Sequence, residues 1–161
     1  GAQGDDRFEI TSQPTYTFNS SGNKVTTAYT KTNRPLADSN AVDEDGNNLL
    51  DEDGNQIINY GLKTQAKEQA KRTAHSLIKR FGWLVQRVTM DSSQTIPSAV
   101  TTYCANIRTD CADIITAIDN ASDMTAFKAL HIDTYNSDGS LNTIARVNRW
   151  SDDTNVQQYV R

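Results

Sequence analysis

TQAKEQAKRTAHSLIKRFGWLVQRVTMDSSQTIPSAVTTYCANIRTDCADIITAI, residues 64–118, is the longest stretch of this chain that reads as packed core. Ala66, Ala70, Ala74, Leu77, Ile78 and Phe81 recur at spacings of three and four, which predicts an amphipathic helix closed by Gly82. Trp83 to Val88, WLVQRV, reads as a short strand or extended crossing that buries Trp83, Val85 and Val88. Pro97 suits the first turn of a second helix. Along it Val100, Tyr103, Cys104, Ile107, Cys111, Ile114, Ile115 and Ile118 keep a near-heptad spacing. The two helices are expected to pack as an antiparallel pair. A short third helix, MTAFKAL, follows with Ser122 or Asp123 as its cap and Met124, Phe127 and Leu130 facing inward.

Outward from this core the chain turns polar. Toward the N-terminus the runs RFEIT, TYTF and KVTTAYT are separated by Pro14 and by the turn-forming Asn19 to Asn23, which predicts a small antiparallel meander. Phe8, Ile10, Tyr16, Phe18, Val25 and Tyr29 are its inward or partner-facing residues. Strands with so few large side chains make a marginal sheet, so this arm is expected to dock onto a partner. Residues 33–40 shift to Pro, Asp, Ser and Asn, the composition of a linker. Beyond the third helix, NSDGS marks a turn. The tail then carries isolated apolar residues, among them Ile144, Val147, Trp150, Val156 and Tyr159, which fits an irregular arm laid on a surface.

The expected architecture is therefore α+β, a small antiparallel helical core of two longer helices and a short third, with an N-terminal β meander and an irregular C-terminal arm. Its segments are a β-rich arm over 1–32, a linker with acidic turns over 33–61, the helical core over 62–131 and the C-terminal arm over 132–161. With 161 residues, 36% of them hydrophobic, a large single core is not expected. A net charge of -4 argues against general polyanion binding, so nucleic acid is not an expected partner. The basic face of the first helix, with Lys63, Lys67, Lys71, Arg72, Lys79 and Arg80, is expected to balance the acidic turns or an acidic neighbour. No run of about eighteen apolar residues occurs, and GAQGDDRF lacks the apolar stretch of a signal peptide. The expectation is a soluble chain with no membrane partner.

An eight-residue repeat precedes the first helix, DEDGNNLL from Asp43 and DEDGNQII from Asp51. Each copy places an acidic, Gly-containing turn before an apolar pair, which predicts successive tight turns and strand pieces. Calcium is the competing reading. With Gly46 at position six of an EF-hand loop, Asp43, Asp45 and Glu52 fit, but position one is Ala41 and position eight is Asn48. With Gly54 at six, position one is Leu49 and position twelve is Tyr60, so solvated turns are the better reading.

Site chemistry is sparse. Cys104 and Cys111 stand seven residues apart, roughly 10 Å along a helix, too far for a disulfide, so both are expected to be reduced packing residues. His75 and His131 have no second His or Cys at ligand spacing. No GxSxG elbow or Gly-rich phosphate loop is present, and the few glutamates, Glu9, Glu44, Glu52 and Glu68, do not pair as glycosidase carboxylates. NSS at Asn19 and NAS at Asn120 match a glycosylation pattern and are read as chance. The expectation is no enzyme, no metal, no cofactor and no small-molecule substrate.

Residues 62–118 also carry a pattern of short motifs: a Lys/Ala-rich helix with Ala66, Ala70 and Leu77 ending near Trp83, a short WxVxR-like strand with Val85 and Arg87, a turn of Ile96, Pro97 and Ser98, and a helix starting near Tyr103 and carrying Ile107 and Arg108. Asn148, Arg149 and Trp150 supply a later NRW, and DEDGN resembles DENGN-type turns. Together these resemble small tail and tail-fibre assembly proteins of tailed bacteriophages, marine and cyanobacterial ones in particular. Phe81 and Gly82 depart from that pattern, which has an acidic residue before the Trp, and no Pro follows Trp150. The resemblance implies protein–protein work in a virion, or in host cytoplasm during assembly, with other phage structural proteins and copies of itself as partners. Phe8, Tyr16, Phe18 and Tyr29 in the first arm, and Trp150 and Tyr159 in the last, are the expected contact residues. Two rival expectations are a tail-fibre assembly chaperone that leaves the virion, and a calcium-dependent binding module built on the acidic repeat.

Overall fold

A computed structural model describes residues 5–160. The architecture is α+β, and the chain separates into two compact units, 1–64 and 65–161.

The first unit begins with one long, interrupted β-ribbon. Strand β1 (Glu9–Thr11) has no contact to its successor β2 (Thr15–Asn19) in a sheet; β2 pairs with β3 (Lys24–Ala28), and β4 (Lys31–Asn33) returns to pair with β1. The expected meander is thus a nested hairpin. Pro14 explains the difference. Between the pairs Thr11↔Lys31 and Thr15↔Ala28, Ser12, Gln13 and Pro14 lie opposite only Tyr29 and Thr30. Pro has no N–H for the ladder, and the extra residue is absorbed as a bulge rather than a turn. The Ser12 N–H donates to the Thr30 carbonyl at 2.8 Å and the Thr30 N–H to Ser12 Oγ at 2.9 Å, which holds the ribbon across the break. At its tip Asn19 Oδ1 accepts from the Ser21 and Gly22 amides, and Asn23 takes a left-handed φ of 47°. The turn expected there is present.

Residues 33–61 are ordered by hydrogen bonds rather than by burial, and form a three-way junction. β5 (Ser39–Asn40) pairs with β6 (Ile58–Asn59), while Val42 bridges Asn48 and Leu50 bridges Gln56 across the two acidic turns. Where these three arms meet, the backbone closes a ring. The Ala41 N–H donates to Ile57 O at 2.8 Å, Leu49 to Ala41 O at 2.9 Å, and Ile57 to Leu49 O at 2.9 Å. These three residues are eight apart, so the sequence repeat is the spacing of the ring. At the same hub Gln56 Nε2 donates to all three carbonyls, Ala41, Leu49 and Ile57, at 3.0, 3.1 and 2.8 Å. Its two hydrogens serve three acceptors, so at least one bond is shared.

The stretch expected to be a linker has a second task, to start the first helix, α1 (Leu62–Lys79). A helix begins with N–H groups that lack internal partners. Pro35 O accepts from Leu62, Leu36 O from Lys63, and the Asp38 carboxylate takes the Gly61 N–H at 2.7 Å and the Thr64 hydroxyl at 3.0 Å. A Cβ on Gly61 would lie 2.4 Å from the Ala37 carbonyl oxygen, so only glycine fits this approach.

In the second unit α1 packs against α3 (Ser98–Asn120), reached through α2 (Gly82–Met90). The pair is antiparallel. Lys67 near the start of α1 meets Asp119 near the end of α3 at 2.8 Å, and beyond the last turn of α1 Arg80 donates to the Tyr103 hydroxyl at 3.1 Å. Ala74, Phe81, Leu84, Val100, Tyr103, Ile107 and Val156 form one buried cluster, with Phe81 edge-on to Tyr103. Ile114 and Ile118 continue the buried stripe of α3, as the heptad spacing predicts. Next, α4 (Met124–Ala129) starts at Asp123, whose carboxylate accepts the Ala126 N–H at 2.8 Å, and buries Phe127.

Two expectations fail here. WLVQRV is helical, with Leu84 buried and Val85 55% exposed, because the spacing of four between Leu84 and Val88 prevails over the alternation of Trp83 and Val85. Gly82 opens α2 rather than closing α1 in a left-handed cap; it is not among the positive-φ glycines.

The C-terminal segment has more order than an irregular arm. β7 (Thr134–Tyr135) and β8 (Leu141–Thr143) make a hairpin, followed by short 3-10 helices at Arg146–Asn148 and Thr154–Tyr159. Carboxylates fasten it down: Asp133 takes the Ala145 N–H and Asp110 takes the Ser151 N–H, both at 2.6 Å. Val156 is then fully buried in the main cluster, which this segment completes.

Candidate functional site

The expected contact residues fall into two groups. In β2–β3, Phe18 lies opposite Val25 and Tyr16 opposite Thr27, so the alternation of a strand puts these four side chains on one face. Tyr16 is 69% exposed, Phe18 62% and Val25 62%. The opposite face carries Thr15, Thr17, Thr26 and Ala28. The ribbon therefore presents an aromatic face and a threonine face. Phe8 is different: it is buried, its ring under the Arg7 guanidinium at 5.0 Å, and Tyr29 is half-buried beside the bulge.

Trp150 and Tyr159, the contact residues expected in the last arm, pack against the cluster of their own unit. The Trp83 indole N–H donates to the Tyr159 carbonyl at 2.9 Å, tying that segment to α2. Both aromatics are half-buried within the chain, which leaves the ribbon as the place where expected contact residues remain free to meet a neighbour.

The acidic repeats form two copies of one turn. Asp43 Oδ1 accepts the Asp45 and Asn47 amides at 3.0 and 2.8 Å, and Asp51 Oδ1 accepts those of Asp53 and Asn55 at the same distances. Gly46 and Gly54 supply φ values of 84° and 82°, which other residues reach only with strain. The bonds from Asn47 and Asn55 to these carboxylates hold Asp43 and Asp51 below the usual carboxylate range. Both side chains are thus occupied in shaping their own loops. Among the described residues no group of three or more His, Cys, Asp or Glu could hold a metal ion.

Elsewhere Lys67 is paired with Asp119 and Lys71 with Glu68 at 2.6 Å, so these members of the basic face are met within the helical unit. His131 caps α4, with Nδ1 3.0 Å from the Phe127 carbonyl and its ring 4.7 Å from the Phe127 ring. Cys104 and Cys111 are free thiols, half-buried on α3, and burial pushes both up from the ordinary thiol value. No described helix is long and apolar enough to cross a membrane.

One cavity was not foreseen. It measures about 330 Å³ and lies among α1, α2 and α3, with apolar walls from Ile78, Phe81, Val85, Ile96 and Val100. Cationic Lys79 and Arg108 line it together with His75, and so do Gly82, Thr101 and Cys104, but no acidic residue does. Its formation depends on α2 being a helix, which places Val85 beside the helix pair. The sequence carried one signal: Arg108 has Cys104, Ala105, Cys111 and Ala112 at its helical neighbours, so no acid on α3 is spaced to pair with it. No family model, curated protein or solved structure matches the chain.

Proposed function

We propose that this chain is a structural subunit of a tailed-bacteriophage virion, in the tail, a fibre connection or the baseplate, working through protein–protein contacts. Its partners on this reading are other phage structural proteins and further copies of itself, and it resides in the virion after assembly in host cytoplasm. The observation that carries the reading is the aromatic face of the β-ribbon, where Tyr16, Phe18 and Val25 stay exposed. An isolated two-stranded ribbon is marginal in water, and each of its strands is an edge strand to which a further strand can be added. Adding a strand or covering that face with a neighbour would remove both deficits. The phage-type motifs of residues 62–118 supply the class of assembly.

The test is the composition of purified particles and the fate of a ribbon variant. Mass spectrometry should find the chain in mature particles, with cross-links from the ribbon to neighbouring subunits. The double substitution Tyr16→Asp and Phe18→Asp should leave the thermal transition unchanged, because both residues are exposed, yet exclude the chain from particles. A chain present during assembly and missing from mature virions would overturn the proposal in favour of a chaperone. So would normal incorporation of the variant.

A further inference from the structure

The cavity among α1, α2 and α3 belongs to the helical unit and has its own chemistry. Val85 is 55% exposed and Ile96 37%, so the cavity leaves apolar side chains in contact with water. Beside them stand Lys79 and Arg108, neither of which makes an ion pair among the described residues. A volume of about 330 Å³ lies at the small end of the range for small-molecule sites, roughly 300–1,000 Å³.

We propose that this cavity binds a small amphipathic carboxylate, its hydrocarbon against Ile78, Val85, Ile96 and Val100 and its headgroup on Arg108 and Lys79. Two features select this ligand class. The apolar walls reward burial of a hydrocarbon chain or ring in proportion to the area removed from water. The headgroup follows from charge: a planar guanidinium accommodates a carboxylate through two parallel hydrogen bonds, and the absence of any acid in the lining leaves both cations available. A neutral lipid would leave them unmatched, and a cationic amphiphile would be repelled.

Cys104 and Gly82 make the proposal testable. Cys104 lines the cavity while Cys111, one heptad further along α3, does not, so one helix carries a reporter and its control. Gly82 also lines the cavity, has no positive φ, and a Cβ built on it meets nothing within 4 Å. A leucine there would occupy open space.

The probe is decanoate below its micellar concentration, compared with decanol and decyltrimethylammonium, by calorimetry on the full chain. Decanoate should bind with one-to-one stoichiometry and at least ten-fold more tightly than either analogue. It should also slow alkylation of Cys104 by N-ethylmaleimide, resolved by peptide mapping, without slowing that of Cys111. Arg108→Ala, on an exposed side chain, should weaken decanoate about ten-fold and leave decanol unchanged, and Gly82→Leu should abolish binding of both. Absence of decanoate binding, equal affinity for decanol, or protection of both thiols would each overturn the proposal. So would sedimentation data in which a second copy covers the cavity and excludes decanoate. Should Gly82→Leu disturb the fold, Arg108→Ala and the thiol pair still decide the matter.

Discussion

The two units of this chain reach order by different means. Among residues 5–64 the buried apolar side chains are Phe8, Ala41 and Leu62, and what fixes the backbone is a ring of hydrogen bonds, two Asx-type turns and a glycine pressed against a carbonyl. The helical unit instead buries Ala70, Leu84, Val100, Ile107, Ile114, Ile118, Phe127 and Val156, among others. The first should therefore fail when a bond, a turn or a φ angle is spoiled, and the second when a volume or a charge is wrong.

The largest effect tests the second half of that contrast. Ile114→Asp places a carboxylate at a position with no solvent exposure, and among the described residues no charged side chain is buried with it. The expected loss is about 3–5 kcal/mol, read from the shift of the thermal transition followed by helical circular dichroism. A wild-type melting temperature would mean that the α3 stripe is not the core.

Gly61→Ala tests the first half. The added methyl must push the Ala37 carbonyl aside, at a cost of about 1–3 kcal/mol. Hydrogen exchange should accelerate at the Leu62 and Lys63 amides and around the Ala41, Leu49 and Ile57 ring. The helical transition should barely move. Equal loss in both units would show that they do not respond separately.

The smallest effects concern pH, and the Asp43 and Asp51 pair differs in sign from the Cys104 and Cys111 pair. Asp43 and Asp51 have folded values below the ordinary carboxylate value, so their contribution is present above about pH 4 and is lost as pH falls through the depressed folded values. Cys104 and Cys111 are raised, so theirs is present below about pH 8.5 and is lost as pH rises through the raised folded values. Limited proteolysis should find the acidic turns opening first in acid, while alkali should lower the helical transition. Asp43→Asn with Asp51→Asn should flatten the acid response alone. An unchanged acid profile would remove these carboxylates from the account.

The same division decides what could be read from sequence. α1, α3 and α4 were legible because local spacing and a local cap, Asp123, specify them. α2 was misread because six residues with two β-branched valines satisfy a strand alternation as well as a helical spacing, and only packing of Leu84 decides. Pro14 separates two runs of the expected meander, and nothing local distinguishes such a break from a bulge whose partner strand lies some fifteen residues onward. The acidic turns were legible one at a time; the ring was not, since it joins three backbone positions and the Gln56 side chain that no short window contains. For the contact residues, exposure of Tyr16 and Phe18 agrees with their alternation in TYTF, but spacing gave no sign that Trp150 and Tyr159 close their own core.

The ring of Ala41, Leu49 and Ile57 also governs how this chain could change length. Its two acidic turns are tips that radiate from a closed hub, so residues inserted in pairs at a tip lengthen an arm and leave the hub in register. Adding a third copy of the eight-residue unit is a different event. A ring with three places has no room for a fourth donor and acceptor, and it would have to open. Loop variants in this segment should therefore differ at the tips and keep the number of arms, much as spokes can vary in length on an axle drilled for three.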